Sequence, residues 1–136
     1  MELITSLTNA KVKMALSLQQ KKYRDKYQLF ILEGIRNAEM VIAKNISVQM
    51  CFFTQKAFTN ERGKSILEQL NCPCFEVPEH IYQKISDTQS PQGLMLILPI
   101  QNHNLDDLAT INKSGLYLIL DRLQDPGNIG TIIRTA

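Results

Sequence analysis

The stretch LMLIL at residues 94–98, which Pro99 ends, decides the fold of this chain. Five consecutive apolar residues are typical of a strand buried on both faces, because a half-buried strand alternates apolar and polar side chains. Further strands are predicted over 28–32, 48–54 and 74–77. A sheet made of such strands must be covered by helices on both faces.

In the segments before and between these strands, apolar residues recur at helical spacing. This spacing predicts helices over 9–20, 35–44, 61–70 and 79–86, and either Thr8 or Asn9 is suited to cap the first. The strands and helices alternate along the chain. The sequence therefore predicts an α/β fold with three layers, α/β/α.

Length and composition predict an ordinary soluble protein. The 136 residues are 44% hydrophobic and 21% charged, which is the size and balance of one globular domain. The first residues lack the charged region and apolar core of a signal peptide. We therefore expect a cytoplasmic protein whose three cysteines are reduced.

The close pair Cys72 and Cys74 raises the question of a metal site. His80 and His103 are the histidines that could complete it, but zinc sites normally combine two close-spaced ligand pairs and this chain has one. We therefore predict no metal site.

Positive charge is concentrated at the N-terminus. Residues 1–30 carry six basic and two acidic side chains, a net charge of +4, although the whole chain has a formal charge of only +2. Tyr23 and Tyr27 lie among these lysines as candidate stacking surfaces. This pattern is typical of a surface that binds the phosphate backbone of a nucleic acid, and the alternative is an ordinary solvated helix face.

The end of the chain predicts the beginning of a second domain. Residues 116–121 have the composition of a buried strand, and the turn at 125–128 leads into a helix. We expect Gly127 to take a positive φ and Asn128 to cap a helix that starts at Ile129. Arg134 would then lie close to a helix N-terminus that is able to bind a phosphate.

The domain organisation follows from these segments. Residues 1–99 form the first α/β domain, the polar residues 100–114 a linker, and residues 115–136 the opening strand and helix of another domain. The same turn is also compatible with a purely structural connection, or with a nucleotide-binding α/β protein that holds a phosphate at Asn128. It is not the dinucleotide-binding motif, because the glycines are spaced G-x-x-G.

The whole string DRLQDPGNIGTIIRTA at 121–136 resembles the first motif of the SpoU-TrmH family of RNA methyltransferases, in the SPOUT superfamily. Three further segments resemble the N-terminal substrate-binding domain of that family: TSLTN at 5–9 with Lys11 and Lys13, LEG at 32–34, and SPQG at 90–93. That domain resembles the ribosomal-protein fold that binds RNA. The resemblance covers nearly the whole chain.

The resemblance implies methylation of rRNA or tRNA, typically at a ribose 2′-hydroxyl, with S-adenosylmethionine as cofactor and a homodimer as the active form. By the same resemblance Arg134 is the catalytic arginine and Asn128 lies beside it. Because a guanidinium hardly deprotonates, we expect Arg134 to orient the ribose and to stabilise the developing alkoxide. The predicted RNA contacts are Asn9, Lys11, Lys13, Lys21, Lys22, Arg24 and Gln92.

The second and third motifs of that family are absent from this sequence. We therefore expect these 136 residues to bind RNA as a monomer or weak dimer, to lack the complete cofactor pocket, and not to methylate RNA by themselves. The second hypothesis is a stand-alone RNA-binding module without catalysis. The sequence does not identify the RNA or the nucleotide.

Overall fold

The computed structural model describes residues 1–102 and 116–136. The chain divides into two compact units, Met1–Gln101 and Asn102–Ala136. Most of the predicted linker lies outside the described residues, so the domain boundaries stay a prediction. The two units are considered separately.

A mixed five-stranded sheet forms the centre of the first unit, in the order β1-β4-β3-β5-β2. Strand β5 lies antiparallel between β3 and β2, whereas β4 pairs in parallel with both β3 and β1. The four predicted strands are confirmed, and β1 is an additional edge strand. The strands are β1 (Glu2–Leu3), β2 (Leu29–Glu33), β3 (Met50–Phe53), β4 (Cys74–Glu76) and β5 (Leu94–Pro99).

The four predicted helices are also present, and two more short helices lie between them. The helices of this unit are α1 (Ala10–Ser17), α2 (Lys21–Tyr27), α3 (Ile35–Ala43), α4 (Gln55–Thr59), α5 (Glu61–Gln69) and α6 (Glu79–Ile85). Neither α2 nor α4 shows clear amphipathic spacing. No side chain of α2 is fully buried, and only Tyr23 and Arg24 are half-buried, which explains why the hydrophobic pattern missed this helix.

Two hydrophobic cores lie on opposite faces of the sheet. Strand β5 divides its side chains between them, with Met95 and Ile97 on one face and Leu94, Leu96 and Leu98 on the other, because successive strand residues point in opposite directions. Helices α1 and α6 cover the first face, and α3, α4 and α5 cover the second. The predicted three-layer α/β/α fold is confirmed.

The second unit contains helix α7 (Pro126–Thr135), as expected, but not the predicted strand. Residues 116–121 have no regular secondary structure, and Leu116 and Ile119 are almost fully exposed. A strand forms only where a neighbour pairs with its backbone, and no such neighbour lies beside residues 116–121 among the described residues. The prediction of a strand here is therefore wrong for this structure.

The start of α7 also differs from the prediction. Asp125, not Asn128, is the N-cap, and its Oδ1 accepts the Gly127 N–H at 2.7 Å. Pro126 occupies the first helical turn, where its fixed φ is favourable and its missing N–H costs nothing. Gly127 is therefore helical and does not take a positive φ. Across 1–102 and 116–136, no helix has both the length and the apolar character needed to cross a membrane.

Candidate functional site

Six cations from α1 and α2 form what we call the N-terminal basic surface, and they do not have equal freedom to bind a ligand. They are Lys11, Lys13, Lys21, Lys22, Arg24 and Lys26. Lys26 was not among the contacts predicted from the sequence, although it lies in the same charged run.

Three of these cations already have protein partners. Lys11 pairs with Glu2 at 2.9 Å and lies over the Phe75 ring, and Lys21 pairs with Asp25 at 2.6 Å. Arg24 donates from Nη1 to the carbonyl oxygens of Leu18 and Gln19, at 2.9 and 2.8 Å. These carbonyls follow α1, so Arg24 stabilises the connection between α1 and α2.

Lys13 and Lys22 are exposed and make no ion pair in the described part of the chain. The ammonium group of Lys22 lies 5.7 Å from the centre of the Tyr23 ring. The rings of Tyr23 and Tyr27 are nearly parallel, with 6.2 Å between their centres, so they stack with a large offset. Lys26 is exposed in the same way, and its ammonium group lies 5.4 Å from the centre of the Tyr27 ring. Lys13, Lys22 and Lys26 are therefore the cations of this surface best able to meet a phosphate.

Asn9 has a structural function in this fold. It is the N-cap of α1, and its Oδ1 accepts the Lys11 N–H at 2.9 Å. This cap fixes the direction of the helix that carries Lys11 and Lys13. A direct contact of Asn9 with RNA stays a prediction.

The segments LEG and SPQG, far apart in the sequence, meet at one end of the sheet. Gln92 accepts the Ile35 N–H through Oε1 at 2.8 Å, and the Gly34 N–H donates to the Leu94 carbonyl at 3.0 Å. Gly34 has a φ of +102°, which favours glycine. We call the surface depression at this junction the motif groove; it is lined by Glu33, Gly34, Arg36, Asn37, Thr88, Ser90 and Gln92.

Glu33 holds one wall of the motif groove in place. Its carboxylate accepts hydrogen bonds from three hydroxyls, those of Tyr82, Ser86 and Thr88, the shortest at 2.7 Å from Ser86. Burial, and then the nearby negative charge of Glu33, raise the pKa of Tyr82, so its phenol stays protonated and donates. Glu33 is therefore a structural residue of this junction.

Arg134 and Asn128 both lie on α7, and both are exposed. The Arg134 guanidinium folds back one turn, with Nη2 at 3.4 Å from Thr131 Oγ1. In the described part of the chain no contact joins it to Asn128. The alternative of a phosphate site at Asn128 loses its basis, because the Asp125 carboxylate occupies the start of this helix and would repel a phosphate.

The three cysteines cluster between β3 and β4. Cys51 and Cys74 are register partners in the sheet, and Cys74 also donates to the Cys72 carbonyl at 3.4 Å. Thiol hydrogen bonds from Cys51 and Cys72 lower the pKa of Cys74, and the same hydrogen bonds raise the pKa values of Cys51 and Cys72. The described residues contain no group of three or more ligands placed to hold a metal ion.

The sequence of this chain matches a known family of domains. Residues 9–96 match the profile of the MRM3-like substrate binding domain. The chain belongs to this family. The matched residues run from the N-cap of α1 into β5, so the MRM3-like substrate-binding domain here includes both the N-terminal basic surface and the motif groove.

The relatives of this MRM3-like domain are named as rRNA methyltransferases. The *Bacillus subtilis* protein "23S rRNA (guanosine(2553)-2'-O)-methyltransferase RlmP" is 32% identical over 136 residues, which are 100% of this chain and 50% of that protein. The *Xenopus laevis* protein "rRNA methyltransferase 3, mitochondrial" is 32% identical over 121 residues, 87% of this chain and 28% of that protein. The chain thus spans half or less of the length of these relatives.

Solved structures agree with this assignment. An AdoMet-bound rRNA methyltransferase from *Sinorhizobium meliloti* superposes with a TM-score of 0.76 and 30% identity, over 98% of this chain and 49% of that one. The SpoU methyltransferase AviRb from *Streptomyces viridochromogenes* gives a TM-score of 0.78 over 93% of this chain and 48% of that one. At 18% identity the second match shows the fold alone. The resemblance to SpoU-TrmH methyltransferases predicted from the sequence is confirmed.

Proposed function

We propose that this chain is the RNA-binding part of an rRNA methyltransferase that transfers a methyl group from S-adenosylmethionine to a ribose 2′-hydroxyl. The observation that carries the proposal is the match of residues 9–96 to a substrate-binding domain family. The named activity of the *Bacillus subtilis* relative supports the reaction and the rRNA substrate. The AdoMet-bound *Sinorhizobium meliloti* structure supports the cofactor.

The N-terminal basic surface supplies the electrostatic part of RNA binding. Each lysine that neutralises a phosphate releases counterions, so affinity from such contacts falls as the salt concentration rises. Lys13 and Lys22 are the main phosphate contacts because the other predicted cations Lys11, Lys21 and Arg24 are held by protein partners. Asn9 acts by fixing the direction of α1.

A pair of lysine substitutions tests this proposal. We expect the double variant Lys13→Gln, Lys22→Gln to bind a hairpin of 23S rRNA more weakly, with a log–log salt slope shallower by about 1.5 for two lost phosphate contacts. Fluorescence anisotropy at several salt concentrations measures both quantities. The matched control Lys44→Gln, Lys64→Gln removes the same charge from the opposite side of the sheet and should leave the slope nearly unchanged.

Two results would refute the proposal. If the unmodified chain binds no RNA at low salt, the RNA-binding function is wrong. If both double variants change the slope equally, RNA binding is diffuse and the basic surface is not its site. Weaker binding to a tRNA than to the rRNA hairpin would support the rRNA substrate.

Arg134 and Asn128 belong to the catalytic part of the proposal. Arg134 is suited to orient a ribose or its phosphate and to stabilise negative charge on the reacting oxygen, whereas a guanidinium is a poor base because it hardly deprotonates in proteins. Asn128, exposed on the same helix, is proposed to line that site. We further propose that the 136 residues by themselves bind RNA without methylating it. The homodimer and the cytoplasmic location remain predictions.

A further inference from the structure

We propose that the motif groove binds one unpaired nucleotide of the RNA substrate, and this rests on the proposed function. The groove has a volume of about 320 Å³, at the lower end of the range for sites that hold small ligands. All but one of its lining residues carry a polar side chain, and the groove lies where β2 passes into α3 and where the chain enters β5. One nucleotide is the part of an RNA that matches this size and chemistry.

The floor of the groove is open because residue 34 is glycine. A Cβ on Gly34 would lie 3.3 Å from Gln92 Oε1, so any larger residue would press on the Gln92 side chain, which lines the groove. Gln92 uses Oε1 to accept the Ile35 N–H, which leaves its Nε2 group to donate to a ligand. The amide of Gln92 is thus held in one orientation before any ligand binds.

The charges around the groove favour a phosphate. Arg36 lines it from the first turn of α3, and Lys56 Nζ lies 3.3 Å from the Pro91 carbonyl, beside the SPQG segment. The one acidic side chain of the lining, Glu33, is engaged by three hydroxyls. Arg36 is exposed and forms no ion pair among the described residues, so it is the side chain best placed to bind a phosphate.

The amides and hydroxyls of the groove favour an unpaired nucleotide over a duplex. Ser90 and Gln92 offer hydrogen-bonding groups of the kind that read base edges. Asn37 donates from Nδ2 to the Glu33 carbonyl at 2.7 Å, so it offers chiefly its Oδ1 as an acceptor. In an A-form duplex the base edges are paired or lie in a major groove too narrow for side chains, whereas loops and bulges present them freely. The amide of Ile35 is already capped by Gln92, so the helix end itself is not the phosphate site.

The groove and the basic surface therefore have different tasks. The N-terminal basic surface binds phosphates irrespective of base pairing, and the motif groove distinguishes RNA with an unpaired nucleotide from a fully paired duplex. Each task has its own measurable quantity, the salt slope for the first and the affinity ratio between two RNAs for the second.

Two groove variants and one control test this inference on the 136-residue chain. The probes are an RNA hairpin with an unpaired loop and a blunt RNA duplex of the same number of nucleotides. Arg36→Gln removes the phosphate ligand. Gln92→Glu keeps the oxygen that caps α3 but replaces the donor by a carboxylate, so the fold is retained. Lys64→Gln, an exposed site on α5, removes the same charge as Arg36→Gln outside the groove.

We expect the unmodified chain to prefer the hairpin, and each groove variant to lose about tenfold in hairpin affinity while duplex affinity changes little, as for one charged hydrogen bond. Nuclear magnetic resonance should show the side-chain amides of Gln92 and Asn37 shifting when ribonucleoside monophosphates are added. The control should keep the hairpin preference.

The outcomes separate the inference from the proposed function. If the chain binds the hairpin and the duplex equally, or if the groove variants keep the full preference for the hairpin, the motif groove does not bind an unpaired nucleotide. The proposed RNA-binding function would still stand. If the chain binds neither the hairpin nor the duplex, both the proposed RNA-binding function and the nucleotide site in the motif groove are wrong. Nucleotide-induced shifts confined to α1 and α2 would also overturn the groove.

Discussion

At the residue scale, Glu33 shows how one side chain in the wall of the motif groove holds two segments of the chain together. Its carboxylate joins the end of β2 to the segment after α6 through the hydroxyls of Tyr82, Ser86 and Thr88. Tyr82 is fully buried, so its hydroxyl depends on this partner. The wall of the motif groove is therefore coupled to the protonation state of a core tyrosine.

Tyr82 leads to a prediction about alkaline pH. Its pKa is about 10 when the chain is unfolded and is higher in the fold, so the folded state holds the proton more tightly. The stability that this contributes is complete below about pH 10 and is lost as the pH rises above that value. We expect Tyr82→Phe to be less stable at neutral pH by about 1 kcal/mol for the lost hydrogen bond.

Above about pH 10 the difference between Tyr82→Phe and the unmodified chain should shrink. Urea unfolding at a series of pH values measures it. Tyr27→Phe, at an exposed tyrosine, is the control and should follow the unmodified chain. Two curves that stay parallel from neutral to alkaline pH would contradict this account of Tyr82.

At the element scale, α4 and α5 pack so closely that one position must be glycine. A Cβ on Gly63 would overlap the Ala57 carbonyl oxygen, and this backbone group cannot rotate away. Asn60 makes the junction between the two helices by accepting the N–H groups of Arg62 and Gly63. The pair thus covers the sheet as one compact unit, although neither helix is long enough to be stable alone.

Gly63→Ala tests this packing. In an ordinary helix the change from glycine to alanine stabilises by about 0.5–1 kcal/mol, because it lowers the entropy of the unfolded chain. Here we expect the opposite sign, a loss of about 1–3 kcal/mol in the free energy of unfolding, from the clash with α4. Chemical denaturation measures the change.

The neighbouring change Lys64→Ala is the control, because Lys64 is exposed on the same helix. It should alter stability by no more than about 0.5 kcal/mol. A stabilised Gly63→Ala variant would mean that α4 moves away from α5 at little cost.

At the scale of the whole molecule, the described residues comprise one unit with filled hydrophobic cores and a second unit whose helix α7 is exposed. The cores around β5 are filled from both faces, whereas α7 buries none of its residues. The apolar residues at 116–120 are exposed as well. The chain spans half of the *Bacillus subtilis* relative, so the catalytic part of the proposal concerns the protein as a whole.

The proposed role of Arg134 is tested in a complete methyltransferase that contains this sequence. We expect Arg134→Lys to lower the turnover number about 100- to 1000-fold, because lysine cannot reproduce the planar hydrogen-bonding geometry at the reacting oxygen. RNA affinity should be unchanged. Methyl transfer from labelled S-adenosylmethionine and anisotropy measure the two quantities.

Full turnover of Arg134→Lys would refute the role of Arg134. A companion titration of the 136 residues alone with S-adenosylmethionine should show no specific binding in a calorimeter. Micromolar binding would mean that these residues already form the cofactor pocket.

The sequence by itself determined the fold class, four of the strands, the main helices and the family, because apolar periodicity and the strings at 32–34, 90–93 and 121–136 are local properties of the chain. It missed α2, which has no fully buried side chain, and it predicted a strand at 116–121 that finds no partner among the described residues. A strand depends on pairing that no local pattern guarantees.

Only the tertiary structure decided which polar side chains are already held by protein partners. Gln92 accepts a hydrogen bond from the Ile35 N–H, 57 positions away in the sequence, and Arg24 donates to a carbonyl oxygen at the end of α1. Charge and residue type alone could not show that these two side chains already have protein partners. A buried or terminal backbone group needs a hydrogen-bond partner, and the fold takes that partner from whichever side chain it brings near. The motif groove is therefore a property of the folded chain, built from two segments that the sequence identified separately.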